Sequence, residues 1–315
     1  MDHKAWFAQY AERRYGGVDP HAAKAWELLR SGPYSTSSGT WSESQDSLFT
    51  ARPRLTATTA ASWSPGAMRY DASTVQRALI ELLQVAPGLR KTDAYRFDLV
   101  DVARQALANH SRTLLPKIKA AYDAKDLPLF RQRAAEWKSD LALLDELLAT
   151  DTRFLLGPWL EDAKSSGTTE AEKAAAEFDA RSILTTWGDR SGSDSGGLRD
   201  YANREWSGLV SDFYAMRWTK YLDSLDTALA TGQAPVSIDW FAVENAWNQQ
   251  RDTYPVRASG DPVALAAAVR DALPAPPPSG PFTGADGTCV EVTGANSADG
   301  TALRLDQCDG TPAQT

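Results

Sequence analysis

At 315 residues and 43% hydrophobic content, the chain can bury a sizeable core as one large domain or two ordinary ones. Its net charge of -8 and the lack of any Lys/Arg cluster leave no basic field for phosphates, which argues against a nucleic-acid partner. No apolar run approaches the roughly 20 residues that a membrane-spanning helix needs, and no apolar stretch follows Met1-Asp2-His3-Lys4, so neither a membrane span nor a targeting segment is expected.

Up to about residue 273 the apolar residues recur at helical spacing and strand-like alternation is almost absent, which predicts a mainly α fold. Asp19-Pro20 supplies an N-cap and a proline at the first helical position, opening a helix through Trp26 and Leu29 that Gly32-Pro33 closes. Residues 35 to 66, dense in Ser, Thr, Gly and Pro, predict an irregular loop. Ser73 is expected to cap a helix carrying Val75, Leu79, Leu82 and Leu83, stopped at Pro87-Gly88. A long amphipathic run from Asp93 to Tyr122 follows, which Pro116 should kink or split.

Asp126 caps a helix through Phe130, Trp137, Leu141, Leu144 and Leu148, and Asp151 a shorter one with Phe154, Leu155 and Trp159. Thr169 with Glu172 forms a capping box that begins a helix to about Thr186. Residues 187 to 197 read W-G-D-R-S-G-S-D-S-G-G, a loop, after which Leu198 is expected to start another long helix through Tyr201, Leu209, Phe213 and Leu222. Two further helices run from Asp239 through Trp247 and from Asp261-Pro262 through Val269. Residues 274 to 281 form a proline-rich linker, extended and stiff. Residues 282 to 315 turn abruptly to Gly, Thr and Asp with short apolar alternations, the composition of a small β module.

Carboxylates are plentiful, as in the pairs Glu43 with Asp46, Asp98 with Asp101, and Glu170 with Glu172, but caps and solvated helix faces account for such residues. His3, His21 and His110 have no metal-ligand spacing and no nucleophile partner, and surface or capping roles are expected for them. No phosphate loop, Cys/His cluster or serine elbow is present, so no metal or cofactor is expected. The 11 tryptophans suit either helical cores or the stacking of sugar rings.

Several segments resemble, in order, the C-terminal region of the alpha-N-acetylglucosaminidase family: Trp6 to Gly16 (W-F-A-Q-Y-A-E-R-R-Y-G), Ala51 to Leu55, Arg96 to Gln105, Leu147 to Leu160, Arg181 to Gly188, and Asp200 to Asn203 (D-Y-A-N). The resemblance spans residues 1 to 273 and implies an all-helical domain packed beside a catalytic barrel. The implied chemistry is retaining hydrolysis of terminal alpha-linked N-acetylglucosamine by two glutamates about 5 Å apart. In that family both glutamates belong to the barrel, which would precede Met1, so this chain is expected to lack them, to be inactive alone, and to have the barrel and an N-acetylglucosamine-terminated glycan as partners.

The resemblance also assigns pocket-lining positions: Trp187 at a helix end, Tyr201 in D-Y-A-N, the apolar Leu198 between them, and Val100 in D-L-V-D. Read without it, both aromatics are expected to be core residues. The last zone resembles the first repeat of a ricin-type β-trefoil lectin, stopping short of its Gln-x-Trp element. That likeness implies a Cys289–Cys308 disulfide and a secreted setting. The alternative is a Gly-rich end with two free thiols. One incomplete repeat cannot close a trefoil, so the tail is expected to be largely disordered. A free-standing carbohydrate-binding or scaffold protein is the competing reading of the whole chain, while a helical array for protein partners is disfavoured because no repeat of fixed period occurs.

Overall fold

A computed structural model describes residues 2–35, 45–277, 287–293, 301–308 and 314. Two compact units separate at Pro274. The first is built from helices α1 (His3–Tyr15), α2 (Pro20–Ser31), α3 (Ala72–Leu82), α4 (Asp93–Asp123), α5 (Leu127–Leu148), α6 (Leu156–Ser165), α7 (Glu170–Leu184), α8 (Ala215–Thr231), α9 (Trp240–Asn248) and α10 (Pro262–Ala272).

The local chemistry of the helix starts follows the sequence closely. The Asp19, Asp126, Asp239 and Asp261 side chains each accept from a backbone N–H of the following turn, and Thr169 and Glu172 close a reciprocal capping box. Helix α3 differs, because Asp71 rather than Ser73 is the cap: its carboxylate accepts from the Ser73 N–H at 2.9 Å. Pro116 does not split α4, which is continuous through it. Leu114, Leu115, Ile118 and Ala121 are all buried on either side, and this packing holds the helix across the missing donor.

Helix α4 is the central member, packing against α1, α3, α5 and α10. Helix α5 continues the core toward α8, where Trp137 lies 4.4 Å from Trp218 and 4.6 Å from Phe49, ring centre to ring centre, and all three are fully buried. The Trp218 indole donates to the Phe49 carbonyl at 2.9 Å, so a ring from α8 anchors the short 3-10 turn Leu48–Thr50. Helices α6, α7 and α9 pack in sequence beside this core.

The expected long helix from Leu198 is not formed. Asp200 (φ 56°) and Asn203 (φ 35°) adopt left-handed backbone, and the Ser207 N–H donates to the Phe154 carbonyl at 2.7 Å. Helical structure resumes only near Leu209, through a π turn over Val210–Tyr214 that leads into α8.

The second unit, considered by itself, pairs β1 (Thr288–Val292) antiparallel with β2 (Leu303–Gln307), with Val290 opposite Leu305. Cys289 and Cys308 form a disulfide, and Arg304 pairs with Glu291 at 2.9 Å. The described part of the tail thus forms a paired, cross-linked hairpin, and the rest of residues 282–315, on which the expectation of disorder also falls, lies outside the described residues. The cross-link and cross-strand ion pair supplement a two-stranded sheet too small to be stable on burial alone.

Candidate functional site

Helix α7 ends at Leu184, and the chain turns sharply there. The Thr185 N–H and Trp187 N–H both donate to the Ser182 carbonyl, at 3.0 and 2.7 Å, and Trp187 takes left-handed backbone at φ 63°. This conformation is unfavourable for a bulky residue and persists only where the surroundings enforce it. The enforcing contacts are on the buried side. Thr185 Oγ1 donates to Asn248 Oδ1 at 2.6 Å, Asn248 Nδ2 donates to Thr186 Oγ1 at 3.0 Å, and the Asp200 N–H donates to the Thr185 carbonyl at 2.8 Å.

Asp200 is fully buried and joins four parts of the fold. Its carboxylate accepts from the Arg52 backbone N–H at 2.9 Å and pairs with the Arg217 guanidinium of α8 at 2.9 Å. Arg217 in turn pairs with Glu244 of α9 at 2.7 Å, and the Arg52 Nε also donates to Glu244, at 3.0 Å. Burial pushes the Asp200 carboxyl up, and the charge of Arg217 opposes this shift. Two guanidiniums alternating with two carboxylates in a dry setting have few alternative arrangements, so the network fixes where residues 185–201 lie.

On the outer side, the result is an aromatic platform. The Trp187 and Tyr201 rings are 4.4 Å apart with an interplanar angle of 36°, and Trp63 from the irregular segment lies 4.0 Å from Tyr201. Trp187 is 37% exposed and Tyr201 44%, large values for rings of this size in a helical domain. They border a cleft of 490 Å³ that also takes in Trp159, Ile183, Arg204 and Trp206. Trp159 is fixed by its indole N–H, which donates to the Ala180 carbonyl at 3.1 Å.

The structure thus brings Trp187 and Tyr201 together. Leu198 occupies the turn between them, half-buried, with its N–H bonded to the Gly192 carbonyl at 3.1 Å, but it is not among the cleft residues. Val100 is separate from them: it is fully buried in the hydrophobic core on α4, so it contributes packing rather than a pocket wall. Trp63, Trp159 and Trp206 escaped sequence reasoning, since none lies at a recognisable junction. The only available signal was an excess of tryptophan.

The carboxylate pairs have structural partners. Asp98 is gripped by Arg14 and accepts from the Tyr15 hydroxyl, Asp101 pairs with Arg104, Glu170 with Lys173, and Asp46 with Arg112. Glu172 serves the capping box, and Glu43 lies outside the described residues. His21 pairs with Glu81 at 2.7 Å. His110 is neither exposed nor a cap: it is buried on α4 within 3.4 Å of Glu136 and 3.7 Å of Asp140. Among the described residues no group of three or more His, Cys, Asp and Glu is arranged to hold a metal ion.

The arrangement is an exposed aromatic cleft on a helical domain, stiffened from behind by ion pairs, and comparison with known proteins gives the domain a family. The first unit superposes on a family 89 glycoside hydrolase from Clostridium perfringens, solved in complex with its substrate GlcNAc-alpha-1,4-galactose, with a TM-score of 0.83 and 30% identity. The match covers 86% of this chain and 31% of that one. The same family 89 hydrolase in complex with PUGNAc superposes equally well, over 32% of its length. Human alpha-N-acetylglucosaminidase is 36% identical over 270 residues, which is 84% of this chain and 35% of the human protein. Residues 6–272 match the alpha-N-acetylglucosaminidase C-terminal domain, and the chain belongs to that family. It spans about a third of the length of these relatives.

Proposed function

We propose that this chain is the pocket-completing helical part of a glycoside hydrolase that removes terminal alpha-linked N-acetylglucosamine with retention, and that Trp187 and Tyr201 contact the sugar. The two glutamates that the family chemistry requires are assigned to a barrel outside this chain, so the chain alone is inactive. The observation carrying this reading is the Trp187–Tyr201 pair: two partly exposed rings, tilted against each other at 36°, with Trp187 itself and Asp200 next to Tyr201 held in left-handed backbone by buried hydrogen bonds and ion pairs. Residues destined only for packing do not need such enforcement, whereas a surface that must meet a sugar ring in one orientation does. Tyr201 and Trp187 supply apolar faces suited to the C–H surface of a pyranose.

The relatives support the substrate class, since the Clostridium perfringens hydrolase was solved with its substrate, a GlcNAc-terminated disaccharide. We further assign the tail to a ricin-type lectin repeat and the protein to a secreted setting, supported by the Cys289–Cys308 cross-link. Among the described residues no helix is long and apolar enough to cross a membrane.

The test is reconstitution. The purified chain should give no turnover of an aryl alpha-N-acetylglucosaminide, and mixing it with a separately expressed barrel from the same family should yield activity that neither component has alone. Turnover by the chain alone, abolished by changing any one of its carboxylates, contradicts the proposal. Binding of the sugar without any gain on mixing favours a free-standing carbohydrate-binding protein instead.

A further inference from the structure

A second concave site lies where α1, α2 and α4 meet, and it shares no residue with the Trp187–Tyr201 cleft. Its volume is 390 Å³, near the lower end of the roughly 300–1,000 Å³ typical of small-molecule sites, which suits one ring rather than an extended chain. Rings from Tyr10, Trp26, Tyr34, Tyr70 and Phe97 form its walls. Tyr34 is 61% exposed and lies nearly parallel to Trp26, with ring centres 6.4 Å apart and planes 15° apart.

The polar groups are equally informative. The Trp26 indole donates to the Tyr15 hydroxyl at 3.0 Å, and Tyr15 donates to Asp98 at 2.9 Å. Arg14 clamps the same carboxylate through two N–H donors, so the wall is rigid before anything binds. Asp101 keeps its side chain 42% exposed at the lip. Beyond it stands an amide cluster in which Gln105 Nε2 and the Tyr70 hydroxyl both donate to Asn109 Oδ1, at 3.0 and 3.1 Å. Of these, Gln105 and Tyr70 line the pocket, as does Gln45, and their amide and hydroxyl groups are of the kind that meets a ligand's hydroxyls.

We propose that this pocket is a second saccharide site, for a single neutral pyranose. Aromatic faces together with carboxylate, hydroxyl and amide groups match a sugar's apolar and hydroxyl surfaces. The lining carboxylates Asp98 and Asp101 are each paired to an arginine, Arg14 and Arg104, so the one lining guanidinium, Arg14, is already committed to Asp98, which disfavours uronic, sialic or sulfated sugars.

The experiment is an NMR titration of the full chain with galactose, N-acetylglucosamine and glucuronate in parallel, following the indole N–H signals of Trp26 and Trp187. At least one neutral sugar should shift the Trp26 signal saturably, and glucuronate should bind at least several-fold more weakly. Tyr34→Ala, at an exposed position, should weaken that binding about tenfold, Asp101→Asn should also weaken it, and Trp187→Ala should leave it unchanged. No saturable shift of Trp26 in the folded chain, an affinity unaltered by Tyr34→Ala, or equal binding of glucuronate would overturn the proposal. The Trp187 signal reports separately on the proposed main cleft, so either site can fail without the other.

Discussion

Trp187 and Trp218 are the same amino acid in opposite circumstances, one 37% exposed at a helix end and the other fully buried between α5 and α8. Trp218→Ala should cost about 3–5 kcal/mol of stability, because it empties a packed site and orphans the Phe49 carbonyl. Trp187→Ala should cost less than about 1 kcal/mol, and thermal melts of the two variants check the contrast. Helical periodicity could not separate them, since it reports the side on which a residue lies and not whether a neighbour covers it. Val100 makes the same point in reverse: its place in D-L-V-D suggested a pocket wall, yet α4 is enclosed at that level. His110 was expected at the surface and is instead buried near Glu136 and Asp140, contacts that only the packing of α5 on α4 creates. There burial, aided by the charge of Glu136, pushes the Asp140 carboxyl up to about 7, while burial lowers His110. A carboxyl raised in the folded state supports stability below its unfolded value near 3.9, and that support is lost as pH rises through about 7. His110 acts in the opposite sense as pH falls, and it remains in both proteins when Asp140 alone is changed. Asp140→Asn should therefore gain melting temperature relative to the parent between pH 5 and pH 8, by on the order of 1–3 kcal/mol at the upper end. A difference independent of pH would show that Asp140 is ionised throughout.

At the level of elements, helix starts were legible wherever the cap and the capped N–H belong to neighbouring residues, as at Asp19, Asp126, Thr169, Asp239 and Asp261. The segment from Leu198 to Gly208 was misread as helix because its determinants are remote. Asp145 on α5 accepts from the Gly208 N–H at 2.8 Å and from the Ser211 N–H at 3.0 Å, so the cap that sets the helix start is supplied by another helix. Asp200 is held out of helical backbone by Arg52 and Arg217, distant in sequence. Helix α6 carries a similar long-range constraint at Gly157. A Cβ there would lie 2.2 Å from the Pro255 carbonyl oxygen and 2.7 Å from that of Tyr254, and backbone cannot yield as a side-chain tip can. Gly157→Ala should therefore lower stability by about 1–3 kcal/mol despite the better helix propensity of alanine, and a denaturation curve decides it. An unchanged or increased midpoint would mean that residues 254–255 can move away freely.

The whole molecule divides into two compact units after Pro274. The mainly α class, the helix order and the family were all present in local pattern and in the order of the resembling segments. The ion network beneath the platform was not, because its members are spread from Arg52 to Glu244 and each alone looks like an ordinary charged residue. Removing residues 275–315 should lower the melting temperature of the rest by less than about 4 °C, since the two units have separate interiors. A larger fall would mean that the tail supports the helical unit.

The central claim is that Trp187 and Tyr201 serve a sugar and not the core. In an enzyme that joins this domain to its barrel, Trp187→Ala and Tyr201→Phe should lower kcat/KM, with the tryptophan change costing on the order of 1–3 kcal/mol of transition-state binding by analogy with aromatic stacking platforms, while each variant melts within a few degrees of the parent. The decisive measurement is kcat/KM of the correctly folded fraction of Trp187→Ala set beside its melting temperature. Loss of activity with a nearly unchanged melt is the result the account predicts, and normal kcat/KM in a variant that melts far lower would contradict it.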